Sequence, residues 1–375
     1  MEELRLRHQE WISRVWEKVS TKMPYSRGKA EGLNMIPYTT KDGEWISPNG
    51  IGWWTNGFWP AAMWQMYLQT GDEAYKAEAE RAEAMLDEAL ENIDQLHHDV
   101  GFMWLLSSGV NYRLTGNDES CRRTLWAANV LAGRFNPLGF LRAWNGRERT
   151  GWAIIDCMMN LALLYWATGE TGDPRFRKIA EVHADTSLKF FVRPDGSCNH
   201  IVQFDPETME VMGIPAGQGF APGSSWSRGQ AWALYGFTLS WLHTKKPEYL
   251  EAAKRIAHYF IANVCDDWVP RCDFRQPKQP DIKDNAAGGI AACGLLELYK
   301  ALPDTERDVY GEAAVKMLKA ADKTCADWDE GDPAILQKCT SAYHSEDGIH
   351  MTMNYGDYFF LEAVGKLRKD TMLFW

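Results

Sequence analysis

One pattern recurs along this chain and limits its fold more than any other feature. An aromatic-rich apolar segment runs into a short turn, often Thr-Gly-Asp, and a charged amphipathic segment follows. Residues 58–69 lead through Thr70-Gly71-Asp72 into 73–93, and 102–114 through Thr115-Gly116-Asn117 into 118–135. Residues 152–168 lead through Thr171-Gly172-Asp173-Pro174 into 175–192. Residues 226–243 precede Lys246-Pro247 and 248–264, and 285–301 precede Pro303-Asp304 and 306–326. The last apolar segment, 355–367, has no successor, whereas an amphipathic segment at 2–22 has no predecessor. Gly terminates one helix, Asp or Asn caps the next, and Pro fits the first turn of the new helix. The first member of each pair is apolar all round and should be buried; the second has a polar face and should lie outside. Six inner and six outer helices follow, with the N-terminal helix completing the outer ring. The fold expected is all-α, an (α/α)6 barrel or six-hairpin double-layered toroid. No linker rich in Pro, Gly or Ser interrupts it, so residues 1–375 are expected to form a single catalytic domain.

In such a barrel all inner helices run the same way, and their N-terminal ends open on one face. The connections into those ends are long: 23–56, 94–101, 136–151, 193–225, 265–284 and 327–354. Long connections in a compact domain usually carry function, and these hold Trp, His, Asp, Arg and Gln. The site is therefore expected on that face. The net charge of −11, from 40 Lys and Arg against 51 Asp and Glu, argues against general binding to nucleic acid or an anionic membrane. The 18 Trp, beside 14 Tyr and 15 Phe, point instead towards sugars, whose flat faces stack on rings that also carry a polar tip. The start has no apolar signal core, and no run approaches the ~20 apolar residues of a membrane span. Eight Cys without C-x-x-C spacing read as reduced core thiols, so a cytoplasmic location is expected.

The chemistry-bearing residues cluster at the starts of the apolar segments. Trp53-Trp54 precede the first, and two adjacent Trp are not expected both to point inward, so one should form a sugar platform. Trp144 invites the same reading. His97-His98-Asp99 opens the second; Asp99 could be a helix cap, and no H-x-x-x-H partner supports a metal, so none is expected. Asp156 stands alone among Ile154, Ile155, Cys157, Met158 and Met159. Burial without a cation favours the neutral acid, as a general acid near neutral pH requires. Arg228 lies near a buried helix N-terminus, badly placed for the helix dipole, and must be held by an anion, protein or ligand. His200 and Gln218 precede it and can reach the same opening. No G-x-S-x-G elbow or dinucleotide glycine motif is present.

At these segments the chain resembles the unsaturated glucuronyl hydrolases, glycoside hydrolase family 88. The matching stretches are 54–59 (Trp-Thr-Asn-Gly-Phe-Trp), 98–102 (His-Asp-Val-Gly-Phe), 142–145 (Arg-Ala-Trp-Asn), 155–160 (Ile-Asp-Cys-Met-Met-Asn), 225–232 (Ser-Trp-Ser-Arg-Gly-Gln-Ala-Trp) and 355–358 (Tyr-Gly-Asp-Tyr). The resemblance implies the same barrel and an unusual hydrolysis. The substrate is a small lyase-generated oligosaccharide, likened to unsaturated glycosaminoglycan disaccharides, whose non-reducing uronate carries a C4=C5 double bond. The enzyme hydrates that enol ether rather than attacking the anomeric carbon. By the same resemblance Asp156 is the general acid and base and Asp99 the second catalytic carboxylate. Trp54, His98, Trp144, His200, Gln218, Trp226, Arg228 and Trp232 surround the substrate, and no metal or organic cofactor is implied. The usual rule relating carboxylate separation to stereochemistry does not apply, because C1 is not the reacting centre. Where some relatives accept sulfated units, this chain has His344-Ser345-Glu346-Asp347-Gly348, and two acids favour an unsulfated aglycone.

Three other readings compete. An unsaturated rhamnogalacturonyl hydrolase shares the chemistry, but the stretch from Arg228 to Trp232 favours the glucuronyl branch. A sugar isomerase or epimerase on this barrel would want catalytic His pairs inside. A non-catalytic glycan-binding barrel would not need Asp156 in an apolar niche. One chain suffices to build the pocket, so a monomer or weak homodimer is expected.

Overall fold

Helix punctuation falls where the turn chemistry puts it. Gly71, Gly116 and Gly172 adopt left-handed backbone and end three inner helices. Asp72, Asn117 and Asp173 then accept hydrogen bonds from the first amides of the next helices. The computed structural model describes residues 1–375. Its barrel helices are α1 (Gln9–Ala30), α2 (Phe58–Thr70), α3 (Glu73–Met85), α4 (Ser108–Thr115), α5 (Asp118–Ala132) and α6 (Cys157–Thr171). They continue with α7 (Pro174–Phe190), α8 (Ser227–Thr244), α9 (Pro247–Asn263), α10 (Asn285–Ala301), α11 (Asp304–Thr324) and α12 (Asn354–Arg368). The even-numbered helices form the inner ring, each packed on its inner neighbours, and α12 closes it against α2. The odd-numbered helices pack outside. All of the first fourteen residues of α8 and all but the last residues of α10 and α12 are buried, as their largely apolar sequences require.

Several elements depart from the periodicity. The second inner helix does not start as an α-helix at Phe102: Gly101–Leu105 form a π-helical turn, and α4 begins only at Ser108. The cause is a buried side chain, since Asn160 Oδ1 takes the Phe102 amide at 2.9 Å. The third inner helix begins at Cys157, because Trp152–Ile154 is a strand, β3, paired with β4 (Ile201–Phe204), which in turn pairs with β5 (Val211–Gly213). Two shorter hairpins are β1 with β2 (Thr39–Lys41 with Glu44–Ile46) and a Phe135–Asn136/Phe140–Leu141 pair. All lie in connections on the N-terminal face of the inner ring. The segment expected as one helix over 73–93 breaks after Met85 into the short turns Asp87–Glu91 and Ile93–Gln95. The first helix breaks at His8 and runs on to Ala30.

The bore is filled with rings rather than left open. Phe58, Phe102, Trp232 and Phe359 stand 5.1–5.6 Å apart, centroid to centroid, in successive contacts. Trp375 enters from the helices' C-terminal end and lies parallel to Phe359 at 6.0 Å. Arg113 in the last turn of α4 holds the carbonyls of Leu373 and Phe374, and Glu362 accepts the Trp375 indole N–H at 3.1 Å. The far end of the barrel is thereby closed, and the near end is left as a cavity.

Candidate active site

The segments entering five of the six inner helices line a cavity of about 380 Å³, and the start of α10 lies behind it, where Asp284 pairs with Arg228. Trp54 lies in the single 3-10 turn before α2, Asp99 before the π turn, and Asp156 at the N-cap of α6. Arg228 sits in the first turn of α8, Asp284 at the N-cap of α10, and Tyr355 in the first turn of α12. Helix N-termini carry partial positive charge and unsatisfied amides, so their convergence on one face makes the cavity favourable to an anion despite the acidic surface.

Asp156 is enclosed on a wall of this cavity. Its side chain is 13% exposed, makes no helix-capping bond, and leaves Oδ1 without a hydrogen-bond partner. Burial raises its pKa to about 7, against the opposing pull of the Arg228 charge. His200 Nε2 stands 3.9 Å from Oδ1. The Gln218 amide donates to His200 Nδ1 at 3.0 Å, which puts the ring proton on Nε2, facing Asp156. The longer approach of Ala216 O to the same Nδ1, at 3.4 Å, would require the opposite tautomer, and the shorter contact decides. Burial holds His200 down to about 3, so the ring is neutral and the contact is not an ion pair.

Asp99 is raised well above the carboxylate range, first by burial and then by the nearby charge of Asp156. Asn160 Nδ2 donates to Asp99 Oδ1 at 3.2 Å and lies 3.4 Å from the Asp156 carbonyl. One amide side chain therefore links the two acids to the π turn. His98 is buried, with Nδ1 3.0 Å from Ala143 O, and its ring meets Trp144 edge-on at 5.9 Å. Burial pushes His98 well below its ordinary value and His97 to about 4.

The Arg228 guanidinium is completely buried and paired with Asp284, itself 0% exposed. It also donates to Thr340 O at 2.5 Å and Ser341 O at 2.6 Å, and it stacks on Trp226 at 4.5 Å. The anion it needs at a helix N-terminus is thus a protein carboxylate. Its Nε remains without a partner and the residue still lines the cavity. Gln218 Nε2 donates to Ser341 O at 2.5 Å. Arg228 and Gln218 together pin the 340–342 segment as one wall.

Eight of the ten residues singled out in the sequence line this cavity: Asp99, Asp156, Trp54, His98, Trp144, His200, Gln218 and Arg228. Trp226 lies one layer behind, 4.2 Å from the His200 ring. Trp232 does not reach the cavity; it is 0% exposed in the ring stack beneath it. Trp53 and Trp54 both line the wall, contrary to the expectation for adjacent residues, because the 3-10 turn spreads their centroids 6.4 Å apart. Tyr38, Asp284 and Ser341 were not singled out in the sequence, and Asn160 stood there only as the end of the 155–160 stretch; the roles of Asn160, Asp284 and Ser341 arise from chain crossings across more than fifty residues. A wider, shallower groove of about 670 Å³ beside Trp126 and Arg134 brings no acids together, and carbonyls already occupy that Arg134 guanidinium.

No family model matches the chain. It is 39% identical over 333 residues to the unsaturated glucuronyl hydrolase of Bacillus sp. (strain GL1), covering 86% of this chain and 88% of that one. It is 36% identical over 346 residues to the unsaturated chondroitin disaccharide hydrolase of Streptococcus pyogenes serotype M1, covering 90% and 86%. A solved structure of an Asp-to-Asn variant of the enzyme UGL with dGlcA-Glc-Rha-Glc superposes with a TM-score of 0.88 at 33% identity, covering 92% of this chain and 95% of that one.

Proposed function

Because the chain belongs to the unsaturated glucuronyl hydrolases, a group of glycoside hydrolases, we propose that Asp156 is the acid and base of its reaction and Asp99 the partner carboxylate. The enzyme releases the 4,5-unsaturated uronate from the non-reducing end of small oligosaccharides by hydrating the C4=C5 enol ether. The proton of Asp156 goes to C4, and positive charge develops on C5 and the ring oxygen. The Asp156 carboxylate then takes a proton from water as its oxygen bonds to C5. The C5 hemiketal opens by breaking the bond to the ring oxygen, and the resulting hemiacetal at C1 collapses to an aldehyde and frees the aglycone. One water is consumed and Asp156 ends reprotonated.

The observation that carries this reading is the buried Asp156 carboxyl, with Oδ1 unpartnered in the cavity and the proton retained to about pH 7. Asp99, tied to Asp156 through the Asn160 amide and lining the same cavity, is placed to face the cation at C5. The converging helix N-termini attract the uronate carboxylate. Arg228, neutralised by Asp284, acts mainly by fixing the 340–342 wall. Trp54 and Trp144 supply ring faces for the sugar, with His98, His200 and Gln218 as polar contacts; Trp226 backs His200, and Trp232 supports the floor.

Loss of the ultraviolet absorbance of the C4=C5 bond, followed with unsaturated disaccharides, tests the assignment. Asp156→Asn should abolish the loss while substrate binding by calorimetry persists. Full activity in that variant would remove Asp156 from its role and promote Asp99. For the aglycone, the exposed Glu346 and Asp347 follow directly on the cavity wall at Ser341 and Ala342. They favour an unsulfated sugar there, so kcat/KM should be higher for unsulfated than for 6-sulfated disaccharide; the reverse order would overturn this preference. No helix is long and apolar enough to cross a membrane. The eight free cysteines fit a reducing, cytoplasmic setting, and a cavity built from one chain fits a monomer or weak homodimer.

A further inference from the structure

The turn at 97–99 brings two imidazole nitrogens up to the Asp99 carboxyl group, whose Oδ1 also accepts from Asn160 Nδ2. His98 Nε2 lies 3.2 Å from Asp99 Oδ1, and His97 Nδ1 lies 3.4 Å from Asp99 Oδ2. The ligand atoms of all three residues fall within 4.8 Å of one another. The tautomer of His98 is fixed: only an N–H at Nδ1 can satisfy Ala143 O at 3.0 Å, so Nε2 presents a lone pair to the carboxylate. His98 Nε2 and His97 Nδ1 are both buried without a hydrogen-bond partner, and the residue carrying the first is 1% exposed. The two rings stack at 5.0 Å and 27°, so neither turns away without displacing the other.

A buried imidazole lone pair facing a carboxyl oxygen is satisfied by a shared proton or by a cation, and a divalent cation engages both imidazoles and the carboxylate at once. Two imidazoles and a carboxylate are a donor set for zinc and its first-row neighbours rather than for magnesium or calcium. Tetrahedral zinc with bonds of about 2.0–2.1 Å places its ligands about 3.3 Å apart, and each imidazole nitrogen stands near that spacing from its own Asp99 oxygen, His98 Nε2 from Oδ1 and His97 Nδ1 from Oδ2. The Ala143 carbonyl on the far nitrogen of His98 is the outer partner that orients metal-bound imidazoles. All three residues line the cavity, which leaves the fourth position open to water or a ligand oxygen.

We propose that His97, His98 and Asp99 form a binding site for a zinc-like divalent cation whose occupation inhibits the enzyme. The bound ion would neutralise Asp99 and fill the wall that the uronate approaches, so inhibition competes with substrate. This consequence rests on the reading of Asp99 given above, whereas binding itself does not. The hydration step derived for Asp156 does not call on this ion.

Calorimetric titration with zinc chloride tests the site. It is run on a Cys121→Ser/Cys265→Ser protein, which removes the two thiols that are not buried. One saturable site is expected, weakened by at least about tenfold in His97→Asn and again in Asp99→Asn, the loss that even an outer partner of a metal ligand can cause. In turnover assays zinc should raise the apparent KM, and EDTA should restore it. Absence of saturable binding, or an affinity unchanged by both substitutions, overturns the site. Binding that depends on His97 while turnover is unaffected at saturation keeps the site and overturns the inhibition, and with it the reading of Asp99.

Discussion

Asp156 shows how one side chain can be set by opposing fields. Its place at a helix N-cap and the Arg228 charge both favour the carboxylate, yet burial outweighs them and holds the proton to about pH 7. Two consequences follow. The acid form is lost as pH rises through that value, so kcat should fall above about pH 7, and a rate that climbed steadily to pH 9 would contradict the assignment. The second concerns stability. Unfolded, the group ionises near 3.8; folded, near 7. Folding is therefore favoured most below the lower value and loses this contribution as pH rises between the two, by on the order of 4 kcal/mol at most. Asp156→Asn cannot ionise, so thermal denaturation should show it near wild type at pH 4 and more stable at pH 8. Asp357, also raised to about 7, adds a dependence of the same sign that both proteins share. The buried carboxyl was legible in the sequence because its neighbours on the helix are apolar. Asn160, which bridges to Asp99, was not, since its partners are 58 and 61 residues away.

Among the elements, the turns feeding the inner helices do the positioning. The 3-10 turn at Trp54–Gly57 lies against the π turn at Gly101–Leu105. A Cβ on Gly57 would sit 1.9 Å from Phe102 O and 2.6 Å from Met103 O, both backbone atoms that cannot swing aside. Gly57→Ala should destabilise the fold by more than about 3 kcal/mol and move Trp54 relative to Asp99, so that activity falls even in the folded fraction. Gly71 has left-handed backbone but nothing within 4 Å, so Gly71→Ala should cost only about 1–2 kcal/mol and leave kcat unchanged. Denaturant titration and initial rates on the two variants separate these outcomes. The paired periodicity and turn residues located the barrel helices to within a few residues at most ends. It missed the π turn and the strand Trp152–Ile154, because a short apolar run does not by itself distinguish helix from strand.

For the whole molecule, one direction of travel decides both function and stability. Six parallel helix starts concentrate positive potential at one mouth of the barrel, which lets a chain of net charge −11 accept an anionic sugar. The other mouth is closed by Trp375 against Phe359. Trp375→Ala should cost about 3–5 kcal/mol, seen as a lower melting temperature, while kcat/KM at low temperature stays within about twofold of wild type. A large loss of kcat/KM in the folded variant would show that the ring stack transmits to the cavity. The rings divide between these two ends: Trp54 and Trp144 face the cavity, whereas Trp64, Trp104 and Trp232 fill the core. Composition alone could not separate the two uses. By itself the sequence determined which segments are buried helices, how many there are and which face opens, and it put Asp99 and Asp156 at the starts of two of those segments. These depend on local periodicity, turn chemistry and neighbouring residues. Only the tertiary structure decided that Asp284 pairs with Arg228, that Asn160 ties Asp99 to the π turn, and that Trp232 belongs to the floor. Those pairings join residues far apart in the chain, and burial and hydrogen-bond geometry exist only once the ring has closed.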